Sequence, residues 1–399
     1  MTTAVGSQLN GIPVLSFARD RWTDVPRCRH HVLSRLAAGR RVLLVSPPAT
    51  HVRRAVHGLL HGGLAQSGLT QVSHGLFTFE PPPWLPYSSR PALNRPLEGL
   101  RASYIRRLLD HLGMARPILY VWHPAFIDIV ERFEAPLVVY HCYDEYSAFR
   151  GANREELEAQ EARLLRRADL VFTVTPGLRE RRVGLNPQTF VVRNGVDADY
   201  FGTALAPGTI VPSDIGSIPG PIIGCVTRVV PEYFDARLLG EVFRRRSGWS
   251  LVVIGPESPA HVSGGDDLRE LKALPNVHFL GRRRFDSLPA YLKSMDVCLM
   301  PYQLTRNIQL GDSLKMYEYL AAGKPIVSVP LDFADDVKPL VRVASGVDEW
   351  IAVIEEALTL DSPELRLARQ AVAGHNTWDQ RVEQISQLVA TALEGRLRR

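Results

Sequence analysis

Residues 155–178 read EELEAQEARLLRRADLVFTVTPGL and join a helix pattern directly to a strand pattern. Leucines recur at helical spacing within Glu155–Ala168, which predicts a helix with one buried face. The apolar, β-rich run Leu170–Thr175 follows, as expected for a strand covered on both faces of a sheet. Thr175 and Pro176 then form a start signal for another helix. This order indicates a parallel sheet with crossover helices.

The same alternation extends from this stretch toward both ends of the chain. Each strand run is apolar and β-rich, and helical periodicity marks several of the intervening segments. Before residue 202 the predicted strands are Ile12–Phe17, Val42–Ser46, Leu76–Phe79, Ile118–Trp122, Leu137–His141, Leu170–Thr175 and Phe190–Val192. After residue 221 they are Ile222–Thr227, Leu251–Ile254, Val277–Leu280, Val297–Met300, Ile326–Val329 and Val341–Val343.

A stretch with a different composition separates these two series. Residues 202–221, GTALAPGTIVPSDIGSIPGP, are rich in glycine, proline, serine and threonine and lack periodicity, which is typical of a linker. At 399 residues, the chain has room for two or three domains. We therefore predict an α/β protein with two doubly wound domains that face each other across a ligand-binding cleft.

Composition excludes several classes of protein. Apolar residues make up 45% and charged residues 22%, unlike a disordered or fibrous chain. There is no apolar run of about eighteen residues and no secretory signal, so we expect a cytoplasmic protein. Cys28, Cys142, Cys225 and Cys298 form no close pair, which predicts buried reduced thiols rather than a zinc or redox site.

Positive charge is concentrated in the first half of the sequence. The net charge is +5, yet residues 1–205 carry 25 basic and 18 acidic residues, and all 25 basic ones are arginines. A bias of the genome toward arginine would explain this excess. An anionic partner, such as a phospholipid surface or a lipid phosphate, would explain it equally well. Nucleic acid is not expected, because no nucleic-acid-binding motif is present.

Two places in the second half have candidate binding chemistry at strand ends. Arg228 follows a predicted strand and could clamp a diphosphate, or it could be a solvated loop arginine. Residues 311–318, GDSLKMYE, begin a helix whose free N–H groups favour an anion. Lys315 and Glu318 share a face of that helix, which puts a cation near a phosphate and a carboxylate near ribose hydroxyls. The alternative is an intrahelical ion pair.

Two strand ends in the first half also carry polar side chains. His141 and Asp144 come at the end of one predicted strand, and either could orient or deprotonate a hydroxyl group. The alternative is a helix cap with a satisfied core histidine. His123 ends the preceding strand and gives a weaker signal, since a structural turn would explain it. No P-loop, GxGxxG, HExxH or GxSxG motif stands in a suitable place, which disfavours NTPases, dinucleotide enzymes, zinc peptidases and serine hydrolases.

The chain resembles the group-1, retaining glycosyltransferases of GT-B fold, over about residues 12–395. The resemblance rests on five blocks in the family's order: EARLLRRADLVFTVTPGLRERR and VVRNGVDADYF within Glu161–Phe201, LVVIGP, LPNVHFLGRRRFDSLPAYLKSMDVCLMPY and SLKMYEYLAAGKPIVSVP. The last block resembles the branch of exopolysaccharide and teichuronic-acid biosynthesis. The resemblance implies a Rossmann-like acceptor domain over 1–205 together with the C-terminal helix 377–399, which crosses back to it. It implies a linker over 206–220 and a Rossmann-like nucleotide-sugar domain over 221–376.

The resemblance also implies roles for individual residues. Glu318 would bind the ribose, the backbone of Ser313 and Leu314 would hold the diphosphate, and Arg228 and Lys315 would neutralise the leaving group. The donor site would further include Gly281, Arg282, Arg283, Tyr302 and Asp312. Asp144 and His141 would act on the acceptor, and His123, Arg19 and Trp22 would bind it.

Three positions depart from the family's usual pattern. Leu310 stands where many members have a glutamate that helps hold the donor sugar. No lysine follows Arg228, so we expect Lys315 to supply that charge. A glycine pair after the first strand is replaced by residues 17–22, FARDRW, where Arg19 or Arg21 could contact phosphate.

The sequence thus predicts transfer of a sugar from a nucleotide diphosphate sugar to an acceptor hydroxyl, with retention of configuration and without a metal or other cofactor. The acceptor would be a saccharide, a lipid-linked molecule or another small molecule, and the setting bacterial polysaccharide or glycoconjugate biosynthesis. The basic first half would allow peripheral docking at the inner membrane face. Two alternatives remain: a nucleotide-sugar epimerase or hydrolase of the same fold, and a binding protein with impaired catalysis.

Overall fold

The computed structural model describes residues 11–22, 26–47, 68–82, 85, 91–231, 233–257 and 265–397. The chain divides into two compact units. Unit 1 contains the described residues up to Arg193 together with those from Arg381 onward, and unit 2 contains Asn194–Gln380. Each unit is an α/β structure built on one largely or wholly parallel sheet, so the predicted α/β class with two parallel-sheet domains is confirmed.

Unit 1 has its strands in the order β3-β4-β2-β1-β5-β6-β7-β8. The strands are β1 (Val14–Phe17), β2 (Val42–Val45), β3 (Leu69–Ser73), β4 (Leu76–Phe79), β5 (Ile118–Val121), β6 (Val138–Cys142), β7 (Leu170–Thr173) and β8 (Thr189–Val191). The helices are α1 (Cys28–Ala37), α2 (Pro91–His111), α3 (Ile127–Val130), α4 (Arg154–Arg167) and α5 (Pro176–Glu180). Neighbouring strands are parallel except β3 and β4, so the carboxyl ends of the parallel strands meet along one edge.

The strand β3 was missed by the sequence analysis. Its sequence, LTQVS, is mostly polar, and four of its five side chains are exposed. It pairs antiparallel with β4 at the outer edge of the sheet. An edge strand with little buried surface needs no apolar pattern, which explains why hydrophobic periodicity did not reveal it.

Unit 2 has a wholly parallel sheet in the order β11-β10-β9-β12-β13-β14. The strands are β9 (Ile222–Val226), β10 (Ser250–Ile254), β11 (Val277–Gly281), β12 (Val297–Met300), β13 (Ile326–Ser328) and β14 (Val341–Val343). The helices are α6 (Ala198–Gly202), α7 (Ser213–Gly216), α8 (Ala236–Arg245), α9 (Gly265–Lys272), α10 (Leu288–Ser294), α11 (Arg306–Leu310), α12 (Leu314–Ala321), α13 (Val347–Leu360), α14 (Pro363–Gly374) and α15 (Trp378–Leu397).

The predicted linker over residues 206–220 is part of unit 2 instead. Ile215 of α7 is fully buried in the core of that unit. The ammonium of Lys293 donates hydrogen bonds to the carbonyl oxygens of Ala206 and Thr209 at 2.9 and 2.8 Å. The composition suggested a linker because glycine and proline outnumber the few side chains that anchor the segment.

The last helix, α15, begins in unit 2, and its residues from Arg381 onward belong to unit 1. Gln384 donates a hydrogen bond to the carbonyl oxygen of Val191, and Arg396 donates one to that of Pro136. The predicted return of the C-terminal helix to the first half of the chain is therefore confirmed. All four cysteines are buried and free, also as predicted. Among the described helices, none combines the length and apolar character needed to cross a bilayer.

Candidate functional site

The carboxyl ends of three neighbouring strands of unit 2 lie close together. Gly255, directly after β10, has a φ of +149°, and a Cβ atom there would overlap the carbonyl oxygen of Thr227. The N–H of Gly255 also donates to the carbonyl oxygen of Gly281 at 3.0 Å. Only glycine fits this position. The close approach fixes the chain just before Arg228 and at the start of the Gly281–Arg283 loop.

Arg228 projects from this edge as an exposed side chain. Its guanidinium has no hydrogen-bond or ion-pair partner in the described part of unit 2. The structure therefore does not use Arg228 to hold the fold, and five N–H donors stay available at the carboxyl edge of the sheet.

The helix α12 begins at the same edge, after β12. Ser313 occupies its N-cap position, but the serine side chain accepts no capping hydrogen bond. The Ser313 hydroxyl instead shares a 3.1 Å hydrogen bond with the hydroxyl of Tyr302. The first-turn N–H groups of α12 thus lack a side-chain cap, which is the arrangement that binds phosphate at helix starts.

Lys315 and Glu318 stand one turn apart on α12, as predicted. Their ammonium and carboxylate groups form an ion pair of 2.9 Å. Glu318 is only 8% exposed, whereas its lysine partner is more open. The intrahelical pair that the sequence analysis kept as an alternative is therefore present, but it lies in a largely buried position rather than on a solvated face.

Other predicted donor residues have structural partners. Asp312 accepts hydrogen bonds from the backbone N–H of Asn194 and from the hydroxyl of Tyr317. Arg283 forms an ion pair of 2.7 Å with Asp214 of α7 and hydrogen-bonds the hydroxyl of Tyr291.

Leu310, which departs from the family pattern, and the predicted donor residues Gly281 and Arg282 remain to be placed. Leu310 ends α11 and is half-buried. Arg282 is exposed. Gly281 has a φ of +70°, and a Cβ atom added there would meet no other part of the described chain within 4 Å. Arg282 and Gly281 therefore form an open part of the loop, suited to contact through backbone atoms.

Unit 1 contains an open cavity of about 820 Å³ at the carboxyl edge of its own sheet. Strand ends and the segments that follow them supply part of the lining, and α2, α3 and α4 supply the rest. The charged lining residues from the strand ends are Arg19, Asp20, Arg27 and Asp144, and the half-buried aromatic ones include Phe126, Tyr143 and Phe149. A cavity with both charged groups and aromatic faces suits a polar organic ligand.

Asp144 is the carboxylate of this cavity with the most strongly altered acidity. Burial raises the pKa of Asp144 to about 7, since the lowering by nearby Arg27 is opposed by Asp20. Its carboxylate accepts no hydrogen bond from the described residues. A carboxyl group with a pKa near neutrality can bind or release a proton under physiological conditions, as a general base requires.

His123 lines the same cavity as a neutral donor. Its Nδ1 accepts a 3.1 Å hydrogen bond from the N–H of Ala125, so the proton of the neutral ring lies on Nε2. Burial and the charge of Arg19 lower the pKa of His123 to about 3. Arg19 also lines the cavity and is exposed. The structure thus brings Arg19, His123 and Asp144 to one cavity.

The prediction for His141 as an acceptor-site residue is wrong. His141 is 2% exposed and does not line the cavity. Its Nδ1 shares a 2.8 Å hydrogen bond with the hydroxyl of Tyr120, and its ring stacks on Trp122 at 4.5 Å. Burial lowers the pKa of His141 to about 3. Its side chain points into the aromatic core of unit 1, so the alternative of a satisfied core histidine is correct.

Trp22 is a second predicted acceptor residue that the structure does not bring to the cavity. Its ring packs against that of His30 with centroids 4.6 Å apart, and its carbonyl oxygen lies 3.2 Å from His30 Nε2. Arg21, the alternative phosphate contact, lies 3.5 Å from Glu80 in an ion pair.

Several charged side chains in the cavity wall were not predicted from the sequence, among them Asp20, Glu98 and Arg101. Asp20 lies 3.1 Å from Arg27 and 2.5 Å from the fully buried Arg29. Glu98 and Arg101 form a buried ion pair of 2.6 Å on α2. Asp20 could have been found, because it follows the first strand directly. Glu98 and Arg101 stand three residues apart on α2, and no sequence signal distinguishes them from a surface pair.

Within the described ranges, no cluster of three or more histidine, cysteine, aspartate or glutamate side chains could hold a metal ion. Unit 2 also carries positive groups at the carboxyl edge of its sheet, among them Arg228 after β9 and Lys315 in the first turn of α12.

Both units are thus built on largely or wholly parallel sheets, and unit 2 has a helix start without a side-chain cap, followed by a Lys–Glu pair. Residues 220–359 match the family model described as glycosyl transferases group 1, so unit 2 contains a group-1 glycosyltransferase domain.

Among curated proteins, TuaH of Bacillus subtilis strain 168 is 25% identical over 295 residues, which cover 68% of this chain and 72% of TuaH. Its name assigns it as a glycosyltransferase to teichuronic acid biosynthesis. This relative supports the predicted branch of the family.

Solved structures match both units of the chain. Sucrose-phosphate synthase from Thermosynechococcus elongatus has a TM-score of 0.71 at 16% identity, covering 96% of this chain and 99% of its own. HepE of Anabaena, solved with UDP, has a TM-score of 0.65 at 15% identity, and the match covers 95% of this chain and 100% of HepE. An Escherichia coli trehalose-6-phosphate protein bound with UDP-2-fluoro glucose has a TM-score of 0.67 at 14% identity. This match covers 94% of this chain and 98% of that protein. At these identities the likeness shows the fold alone.

Proposed function

We propose that this protein transfers a sugar from a nucleotide diphosphate sugar to an acceptor hydroxyl, with retention of configuration. The observation that carries the proposal is the start of α12, where uncapped N–H groups precede Lys315 and Glu318 within the matched glycosyltransferase domain. Similar folds were solved with UDP and with UDP-2-fluoro glucose. We propose polysaccharide or glycoconjugate biosynthesis as the setting, because TuaH is named for teichuronic acid biosynthesis.

The proposed reaction breaks the bond between the sugar C1 and the diphosphate oxygen and forms a bond from C1 to the acceptor oxygen. The electron pair of the broken bond goes to the diphosphate. Arg228, Lys315 and the N–H groups of α12 would stabilise that negative charge without a metal ion. For retention, the acceptor oxygen attacks on the face of the sugar from which the phosphate oxygen departs, and the acceptor proton passes to the carboxylate of Asp144. The anomeric configuration of the product, read by NMR, tests this geometry, and undiminished transfer in excess EDTA tests the independence from metal.

We propose the cavity of unit 1 as the acceptor site. Asp144 would accept a hydrogen bond from the acceptor hydroxyl and aid its deprotonation, and the Nε2–H of His123 would donate to a neighbouring oxygen. Arg19 would bind another polar group of the acceptor. The aromatic side chains of the wall suit the apolar faces of a saccharide ring or of a lipid linker.

Nucleotide binding tests the donor assignment first. We expect one of UDP, GDP, ADP, CMP and dTDP to raise the thermal midpoint, by about 2.7 kcal/mol of stability at a hundredfold excess over its Kd. Glu318→Gln, which keeps the volume but loses the charge, should weaken that stabilisation. If no nucleotide stabilises the protein, the donor assignment fails.

Turnover then separates the proposal from its alternatives. Incubation of the matching nucleotide sugar without an acceptor should produce at most slow hydrolysis, whereas an epimerase would convert the donor. Tight binding without transfer to any acceptor would identify a binding protein with impaired catalysis.

The charges of the two units support a further element of the proposal, docking on an anionic membrane. Unit 1, residues 1–193 and 381–399, has 29 basic and 18 acidic residues and so a formal charge of +11. Unit 2, residues 194–380, has 18 basic and 24 acidic residues and a formal charge of −6. Anionic bilayers attract such a basic unit. We expect flotation with vesicles of acidic phospholipid at low salt, loss of binding at high salt and none to neutral vesicles. Absence of binding to acidic vesicles would contradict this element alone.

A further inference from the structure

The segment Asn194–Tyr200, NGVDADY, has no role in the proposed chemistry although it forms part of a block that resembles the family. Asn194 is 6% exposed. Its backbone N–H donates to Asp312 Oδ2 at 2.7 Å, and its side-chain Nδ2 donates to the carbonyl oxygen of Asp312, also at 2.7 Å. Asp312 stands two residues before the first residue of α12. These two bonds fix both the side chain and the peptide group that lead into the helix start.

Asn194 is itself held by a rigid neighbour. A Cβ atom on Gly195 would lie 2.8 Å from the backbone of Thr377 and of Trp378, so only glycine allows this approach. The N–H of Val196 donates to the carbonyl oxygen of Asn376 at 3.0 Å, and that of Trp378 donates to the carbonyl oxygen of Val196 at 3.2 Å. The segment is therefore anchored by backbone bonds within unit 2, and the two bonds from Asn194 tie Asp312 to that anchored segment.

The other end of the segment reaches a second part of the candidate donor site. The hydroxyl of Tyr200 donates to the carbonyl oxygen of Phe285 at 2.5 Å, and the two rings stack with centroids 5.4 Å apart. Phe285 follows the loop of Gly281, Arg282 and Arg283. One anchored segment thus holds both the start of α12 and the loop expected to contact the base.

We propose that Asn194 is a positioning residue for the donor site, which orients the first-turn N–H groups of α12 through Asp312; this inference rests on the proposed function. A diphosphate bound by backbone N–H groups needs those groups at a fixed distance and direction, and a small displacement weakens every bond together. Asn194 does not touch the donor, and its effect passes through the hydrogen bonds to Asp312.

The test compares Asn194→Ala with a matched variant in the full chain. Asn276 is a suitable control, because its side-chain amide donates to the carbonyl oxygens of Phe243, Arg246 and Trp249 in the same unit. Both variants should lose thermal stability. Only Asn194→Ala should also raise the Kd of the nucleoside diphosphate, by about tenfold, measured at a temperature where both variants are folded.

Two further variants keep the test decisive. Asn194→Asp preserves the volume and the backbone bond but replaces the side-chain donor by an acceptor, so it should raise the Kd as well even if Asn194→Ala does not fold. Asp312→Ala combined with Asn194→Ala should bind no more weakly than the weaker single variant, because the two residues act as one unit.

The outcomes distinguish this inference from the proposed function. If the wild type binds nucleotide and the Asn194 variants bind it as tightly as Asn276→Ala, Asn194 is merely structural and the inference is overturned while the proposed function stands. If the wild type binds no nucleotide, both are overturned.

Discussion

Replacing Arg228 with alanine is expected to lower kcat for sugar transfer by about 10²–10³-fold, as loss of a charge-stabilising donor typically does. The diphosphate gains negative charge as its bond to the sugar breaks, and Arg228 stands exposed beside the edge where α12 begins. The KM of the donor should change less than kcat, because the charge develops mainly in the transition state. Steady-state rates at saturating acceptor measure both parameters.

The environment of Arg228 makes this variant easy to interpret. Because its guanidinium has no hydrogen-bond or ion-pair partner among the described residues, Arg228→Ala should leave the thermal midpoint unchanged. Arg269→Ala serves as the matched control, since it removes another exposed arginine of unit 2, one paired with Asp266 on α9. Full activity in Arg228→Ala would contradict the assigned role of Arg228.

Replacing Asp144 with asparagine is expected to lower kcat by about 10²–10⁴-fold, the range typical of a lost acid–base group. The wild-type rate should rise with pH through about 7, because burial raises the pKa of Asp144 to about that value and only the carboxylate accepts a proton. An asparagine side chain cannot titrate, so the residual rate of Asp144→Asn should lack this rise. A pH–rate profile from about pH 5.5 to about pH 8.5 measures both effects.

The same substitution should stabilise the protein above neutral pH. The folded-state pKa of Asp144 is raised above the ordinary value of 3.8, so the folded protein loses stability as pH rises from about 4 through about 7. Asp144→Asn removes that loss, and its Tm at about pH 8 should exceed that of the wild type. A lower Tm under those conditions would contradict the burial cost, and an unchanged pH–rate profile would contradict the role in transfer.

Continuous apolar runs predicted most of the strands because the parallel strands are buried on both faces of each sheet. Runs such as Leu170–Thr173 in β7 and Ser250–Ile254 in β10 have every side chain buried, and their apolar character cannot be mistaken for a surface helix. The exposed edge strand β3 carries no such signal. Residues 206–220 were predicted as a linker from their turn-like composition, yet this segment packs into unit 2 through the buried Ile215.

The candidate donor site was more predictable than the acceptor site. Lys315, Glu318 and Ser313 lie within one short stretch, so helix geometry alone brings them together. The unit 1 cavity collects side chains from separate strand ends and helices, and which of them face it depends on packing. The His141 side chain turns toward the core and away from the cavity, whereas Asp144, three residues later, remains in its wall. Period-2 alternation does not extend past the end of a strand, so it could not separate the two.

The Lys315–Glu318 pair has a consequence for ligand selection. Each charge satisfies the other, which avoids leaving a largely buried carboxylate alone. A ligand that recruits only the lysine, such as inorganic pyrophosphate, leaves Glu318 without its partner, and a nucleoside that recruits only the glutamate leaves Lys315 without its own. A nucleotide that offers both a phosphate and ribose hydroxyls compensates both charges at once. In the proposed donor site, the pair would therefore favour the intact nucleotide over either fragment alone.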